Sequence, residues 1–593
     1  MRSNITRDSK ADVTPAQFHS KQQEKLCGMV EPDEKIAKAY IDEISADAKP
    51  TKNSLYTNFR EVNKIVNNLN PSAAYDAYDI STKQLKLLFK SKNFINMIIE
   101  MWNNIVTNGR IAQTFKWDKI IYLWKKKGVK HDPKYYRPIT LVTAISKIIE
   151  GLLHLKIKQE LPCPADIIQH AYKPSRSIQT ALLDLDEKLS NSNKKSAAVM
   201  FLDLKGAFES VDHISLTYYI NKFSPRLSNI VKSYLTNRIA TIYSANFPDD
   251  KPRLEYMKNR SVPQGSKVSP LLFSIATGLA LKWIKNRLLH YQSNLNSDLN
   301  IVAYADDVAI TINADSPEII TNTITTVSRL FKRIMNIFGG DLEPSKTEVL
   351  ISETTAYSMD KVVVQGESIK PSTMIKWLGY HIKLNQNSTI KVVIPQSKKM
   401  ALYNSINLFH LYNKGTRDCR NFFLTYIRPI IEIWMCIPTL EQELTILENK
   451  LIRKVMNVPI TACGETLRRN FCLKPIRERM LSTAENLYEK GVITNTTSSD
   501  NSGVVLRSGS KLTTAKANLK TRLSSLLKND LIPSDYGIFE VKKFKKYRNM
   551  VKRKIKQKIC ERSNKNYKPR PHKTKSNIIK KARKRRSAKK LVN

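Results

Sequence analysis

Short apolar runs, each closed by polar or glycine-containing turns, recur through the middle of the chain, and their spacing switches between helical and strand-like. Over residues 55–106 the apolar positions return every three or four (Ile65, Val66 and Leu69; Leu85, Leu87 and Leu88; Ile95, Met97 and Ile98), which predicts a helical extension. Residues 119–124 read as a strand, a β-branched and aromatic run that ends in Lys125-Lys126-Lys127-Gly128. Between 197 and 385, β-rich runs at 198–202 and 301–312 alternate with helical ones at 214–235 and 316–338, which predicts an α/β domain. Residues 395–490 carry a largely helical pattern, and 494–503 (TNTTSSDNSG) form a polar linker. The lead-in, 1–52, holds Pro15, Pro32 and Pro50 and one brief helical pattern near 34–44, so it is expected to be loosely ordered. The expected division is therefore 1–52, 53–385, 386–490, a linker at 491–510, and a basic helical region with a charged tail at 511–593.

Two of the strand-like runs end in acids. Ile301, Val302, Ala303 and Tyr304 precede Asp306-Asp307, and Val308, Ala309 and Ile310 follow, which predicts a hairpin with acids at its tip. Asp203 closes a second run, Val199 to Leu202, so its carboxylate is expected at the end of a buried strand. A pair of acids in a turn is by itself ordinary. Three acids on two strand tips are enough to hold two divalent cations, the arrangement that nucleotidyl transfer requires.

Composition narrows the partners. Hydrophobic residues make up 41% of the 593 positions, so most of the chain is expected to fold. A net charge of +47 favours a polyanion, because each neutralised phosphate releases a counterion. Residues 541–593 hold 24 Lys or Arg against the single acid Glu561, and the rest of the chain is still strongly basic. Nucleic acid is the expected partner, and a membrane is not, since no lipidation signal or apolar helical face accompanies the tail. Seven cysteines without a CxxC argue against zinc or a disulfide framework, and MRSNITRDSK has no apolar core, which together suggest an intracellular protein.

The acids also lie inside longer blocks. Residues 202–213 (LDLKGAFESVDH) resemble polymerase motif A of reverse transcriptases, residues 262–273 (VPQGSKVSPLLF) their motif B, and Tyr304-Ala305-Asp306-Asp307 their motif C. Lys346 in EPSKTE is similar to motif D, and Trp377-Leu378-Gly379 to the primer grip. Upstream, residues 136–141 (YRPITL) and 169–177 (QHAYKPSRS) are similar to the fingers motifs of jockey-like, non-LTR (LINE-type) retrotransposon enzymes. The resemblance implies a right-hand polymerase with fingers, an α+β palm and a helical thumb, here followed by a basic C-terminal extension. It implies an RNA-directed DNA polymerase that adds dNTPs to a primer 3′-OH, with an RNA template and a DNA primer or target as partners.

Site roles follow from the same resemblance. Asp203, Asp306 and Asp307 match the metal-binding acids, for two Mg²⁺ ions with Mn²⁺ as a substitute. Phe208 matches the bulky side chain under the sugar, which would clash with a 2′-hydroxyl. Arg137 matches the arginine that braces the triphosphate, Gln264 and Gly265 the turn against nucleotide and template, and Tyr304 the nucleotide-side residue of motif C. Lys346 is expected to protonate or neutralise the departing pyrophosphate. Lys125, Lys126 and Lys127 are expected to meet phosphates. Lys581, Arg583, Lys584, Arg585 and Arg586 read equally as a nuclear address or as nucleic-acid contacts. Glu209, Lys267-Val268 and Glu343 depart from the family's usual residues without touching the three acids. No endonuclease or RNase H pattern is expected within the chain. Two rival readings are a group II intron maturase-like protein and a domesticated, non-catalytic RNA-binding derivative.

Overall fold

The computed structural model describes residues 13–489, apart from the short stretches 50–52, 71–79, 127, 165–167, 245–251, 256–258, 357–358, 386–387 and 413–415. Thirteen strands lie among these residues: β1 (Trp117–Trp124), β2 (Tyr136–Leu141), β3 (Ser196–Asp203), β4 (Ile239–Tyr243), β5 (Arg253–Glu255), β6 (Ser297–Tyr304), β7 (Asp307–Ala314), β8 (Glu348–Ile351), β9 (Val362–Val364), β10 (Glu367–Ile369), β11 (Ile375–Trp377), β12 (Tyr380–Leu384) and β13 (Ile390–Val393). They form a central sheet β6-β7-β3-β8, an upstream sheet β2-β1-β4-β5, a hairpin β9-β10 and a meander β11-β12-β13.

The central sheet is antiparallel throughout, which makes the domain α+β and not a doubly wound parallel sheet. Its strands are apolar at nearly every position because both faces are covered. On β3, Ala198, Met200 and Leu202 join one core with Phe273 and Leu281 of helix Ser269–Leu295 and Ile324 and Phe331 of helix Pro317–Ile337. The alternate residues Ala197, Val199 and Phe201 join a second core with Leu182 and Leu185 of helix Ile178–Ser190 and with Trp377 and Tyr380. A strand has period two, so one continuous apolar run serves two cores, and both must form before β3 is buried.

The lead-in differs from expectation in part: the helix expected near 34–44 is formed as Glu34–Ile44, but a second helix, Pro15–Cys27, precedes it, and both pack on the chain's core. Phe18 stacks on Tyr122 at 3.8 Å between ring centroids and meets Tyr136 edge-on, while Tyr40 stacks on Trp283 at 4.3 Å. A few aromatic anchors order a polar segment here, so little periodicity is needed to hold it. No helix of the described residues is long and apolar enough to cross a membrane. Of the expected elements, the linker at 491–510 and the region 511–593 fall outside the described residues, as do Lys127, Lys581, Arg583, Lys584, Arg585 and Arg586.

Candidate active site

Register places the acids. In the β3–β7 ladder Asp203 is directly opposite Asp307, and in the β6–β7 hairpin Tyr304 is opposite the same residue. Ala305 and Asp306 make the two-residue turn between β6 and β7, with Ala305 in the left-handed region at φ 57°. Burial pushes the Asp306 carboxyl up, with Asp203 adding to the rise and Arg137 and Lys346 opposing it. Asp307 is pushed up to about 6 by burial, and repulsion from Asp306 and Asp203 adds to it. The acids thus sit where their own negative charge is poorly compensated.

Lys346 supplies part of the compensation. It lies on the turn Pro344–Lys346, and its Nζ is 2.6 Å from Oδ2 of Asp203. Backbone bonds moor this loop to the end of β3, since Lys205 N donates to Asp341 O at 2.9 Å and Glu343 N to Asp203 O at 3.1 Å. Asp203, Asp307 and Lys346 line an open cleft of about 370 Å³ whose wall includes Lys376 and Trp377. Leu378 and Gly379, both at positive φ (48° and 88°), form the tight turn that returns β11 to β12 beside this wall.

Among the described residues, no three Asp, Glu, His or Cys side chains close into a ready-made metal-ligating group. The donor set nevertheless fits a hard divalent cation, since the three side chains offer carboxylate oxygens and no sulfur or imidazole. The negative charge on Asp306 and Asp307, only partly offset by Arg137 and Lys346, fits it too.

Around the acids the structure gathers most of the other candidate residues. Arg137, on β2, is exposed and close enough to Asp306 to lower its pKa. Phe208, half-buried, stacks on Phe273 at 5.1 Å and 16° between planes, and its carbonyl accepts from Val262 N at 3.0 Å. Glu209, the departure in that block, pairs with Lys25 of helix Pro15–Cys27 at 2.5 Å, so the longer acid has a partner in the lead-in. Gly265 takes φ 123°, and Thr140 N donates to Gln264 O at 2.6 Å, which binds this turn to β2. Lys125 donates to Lys134 O at 2.8 Å, and Lys126 sits at φ 57°, which places both in the hairpin loop of β1 and β2.

Three buried polar residues beside the site had no individual role in the sequence reading, although one, Gln169, opens the block 169–177. Glu150 accepts from Tyr234 Oη at 2.6 Å and from Lys267 N at 3.0 Å, while Tyr234 Oη lies 2.9 Å from Ser266 Oγ. This network fixes the turn before helix Ser269–Leu295. A lone acid in the apolar stretch IIEGLLHL was the available signal, since a buried carboxylate needs partners. Gln169 is the third: its Oε1 accepts from Ala305 N at 2.8 Å and from Ala171 N at 2.9 Å, and its Nε2 donates to Ala305 O at 3.2 Å.

Residues 124–382 match the family described as reverse transcriptase (RNA-dependent DNA polymerase). Similar proteins include a probable RNA-directed DNA polymerase from transposon BS of Drosophila melanogaster, 22% identical over 400 residues, covering 64% of this chain and 42% of the relative. The RNA-directed DNA polymerase from mobile element jockey of the same species is 22% identical over 417 residues, covering 66% of this chain and 43% of the relative. A retrovirus-related Pol polyprotein from type-1 retrotransposable element R1 of Bradysia coprophila is 23% identical over 286 residues, covering 48% of this chain and 27% of the relative. The chain thus spans less than half the length of each of these relatives.

Proposed function

We propose that this chain is an RNA-directed DNA polymerase of non-LTR retrotransposon type that copies RNA into DNA by adding dNTPs to a primer 3′-OH; the match of residues 124–382 to the reverse transcriptase family and the likeness to polymerases of mobile elements support it. The observation that carries the reading is the register that sets Asp203 against Asp307, with Asp306 on the adjoining turn. Asp203, Asp306 and Asp307 would hold two Mg²⁺ ions, or Mn²⁺ in their place. When bound, the ions activate the primer 3′-oxygen and neutralise the departing pyrophosphate.

The chain's own residues do the rest. Arg137, on the upstream sheet that serves as fingers, braces the triphosphate with a planar, permanently charged group. Gln264 and Gly265 form the floor under nucleotide and template, and Tyr304 flanks the sugar. Lys346, paired with Asp203 in this structure, would turn its ammonium toward the pyrophosphate and supply a proton from Nζ there. The helices between 396 and 489 act as the thumb over the primer–template duplex. The basic loop at Lys125 and Lys126, together with the basic C-terminal region, grips the backbone of RNA template and DNA primer.

The test is primer extension by the purified chain on poly(rA) with oligo(dT), Mg²⁺ and dTTP. Metal-dependent extension is expected, and none at any protein concentration would sink the reading. Phe208 gives a separate expectation. Its ring is stacked on Phe273, and in the proposed role under the sugar it would clash with a 2′-hydroxyl, so Phe208→Ala should raise ribonucleotide use by about 10²-fold relative to dNTPs, the scale of a hydroxyl admitted or excluded by a pocket wall. Matched dNTP and rNTP kinetics check it, and an unchanged ratio would remove Phe208 from sugar selection.

A further inference from the structure

The turn that carries the acids is not built from turn residues. Two-residue hairpin turns need positive φ, which Gly, Asn or Asp supply readily, yet position 305 is alanine at φ 57°. An L-residue with a Cβ resists that conformation by about 1–2 kcal/mol. Something outside the turn must therefore favour it, and the contacts of Ala305 say what does. Both of its backbone polar groups are bonded to one side chain, the carboxamide of Gln169, which is 0% exposed. A primary amide facing a peptide in this way makes the same two-bond exchange that a neighbouring strand makes with a residue opposite it.

The amide is itself held. Ala303 N donates to Ile168 O at 3.0 Å and His170 N to Ala303 O at 2.8 Å, so the segment lies along β6 as a short parallel partner. The His170 ring is pinned by Thr180 Oγ1 at 2.8 Å and by Asp184 Oδ2 at 3.0 Å, which anchors the segment to helix Ile178–Ser190. Gln169 thus transmits the position of a rigid helix to the turn between the acids. We propose that Gln169 is the positioning residue of the catalytic turn: its carboxamide holds Ala305 left-handed and so fixes the directions in which Asp306 and Asp307 present their carboxylates. The proposal rests on the reading of those acids as metal ligands.

Geometry names the variants. Gln169→Met keeps the length and loses every hydrogen bond, and Gln169→Glu keeps the acceptors and loses the donor to Ala305 O. In Gln169→Met/Ala305→Gly the turn no longer needs outside support, because glycine takes positive φ freely. The full chain is assayed for kcat and KM on poly(rA) with oligo(dT), and separately for Mn²⁺ binding by electron paramagnetic resonance without nucleic acid. Gln169→Met should lower kcat by about 10²-fold with the KM for dTTP unchanged, weaken Mn²⁺ binding by about 10-fold, and regain kcat when Ala305→Gly is added. Should Gln169→Met fail to fold, Gln169→Glu is expected to remain folded and to show the same weakening of Mn²⁺ binding. Wild-type Mn²⁺ affinity in a folded Gln169 variant, or losses that Ala305→Gly does not relieve, would make Gln169 an ordinary core amide and overturn the proposal. If the wild type binds Mn²⁺ but does not extend primers, the polymerase reading fails while the Mn²⁺ comparison still decides the role of Gln169. A wild type that binds no Mn²⁺ overturns both.

Discussion

If the proposed function holds, replacing Asp306 and Asp307 together with asparagine is expected to abolish primer extension, by more than about 10³-fold, and at the same time to raise the melting temperature in chelator. The first effect follows from the loss of two of the three carboxylates that would hold the ions. The second follows from electrostatics. Burial and mutual repulsion raise Asp307 from the ordinary carboxylate range to about 6, so at neutral pH the folded chain carries a charge it would shed more readily than the unfolded chain. Taken at full value that rise is about 3 kcal/mol; water reaches part of the cleft, and screening leaves about 1–2 kcal/mol of relief. Mg²⁺ should reverse the order, because it stabilises only the chain that binds it. Melts of both proteins in EDTA and in Mg²⁺, with extension measured on the same preparations, check the pair of effects. Undiminished extension would remove the acids from the chemistry, and a lower melting temperature in EDTA would show that their repulsion is compensated elsewhere.

The acids were legible because each ends an apolar run. Val199 to Leu202 and Ile301 to Ala303 are buried on both faces, so their residues are apolar without interruption, and an Asp that follows such a run can only emerge at its tip. The hairpin was legible for the same reason. The lead-in was not, since helix Pro15–Cys27 has one large aromatic anchor, Phe18, and the rings that receive it, Tyr122 and Tyr136, lie about a hundred residues away. Gln169 and Glu150 were hidden likewise. A buried amide or carboxylate is recognised by its partners, and those partners are Ala305, Tyr234 and Lys267, which no local pattern connects to them. Sequence periodicity reports which face of an element is covered; it does not report which polar group covers it.

Gly265→Ala should be the most damaging single substitution outside the acids, and the reason is steric as well as conformational. At φ 123° an L-residue is strained wherever it stands, and a Cβ on Gly265 would also lie 2.5 Å from Thr140 O and 3.2 Å from Thr140 N. Neither atom can yield easily. Thr140 is buried, is paired with Ile120 in the β1–β2 ladder, and donates its own N–H to Gln264 O. The turn would have to leave β2, carrying Gln264 with it and pulling on the bond from Lys267 N to Glu150. The expected result is a destabilisation of about 3 kcal/mol or more and a fall in kcat/KM for dTTP of about 10²-fold, since the turn proposed to support the nucleotide would have moved. Gly366 separates the two causes: it has φ 89° with nothing within 4 Å of an added Cβ, so Gly366→Ala carries the conformational part alone, about 1 kcal/mol, and should leave extension intact. Equal losses of stability in the two variants, with extension preserved in both, would mean that β2 and the Gln264–Gly265 turn are free to separate and that their contact does not shape the nucleotide site.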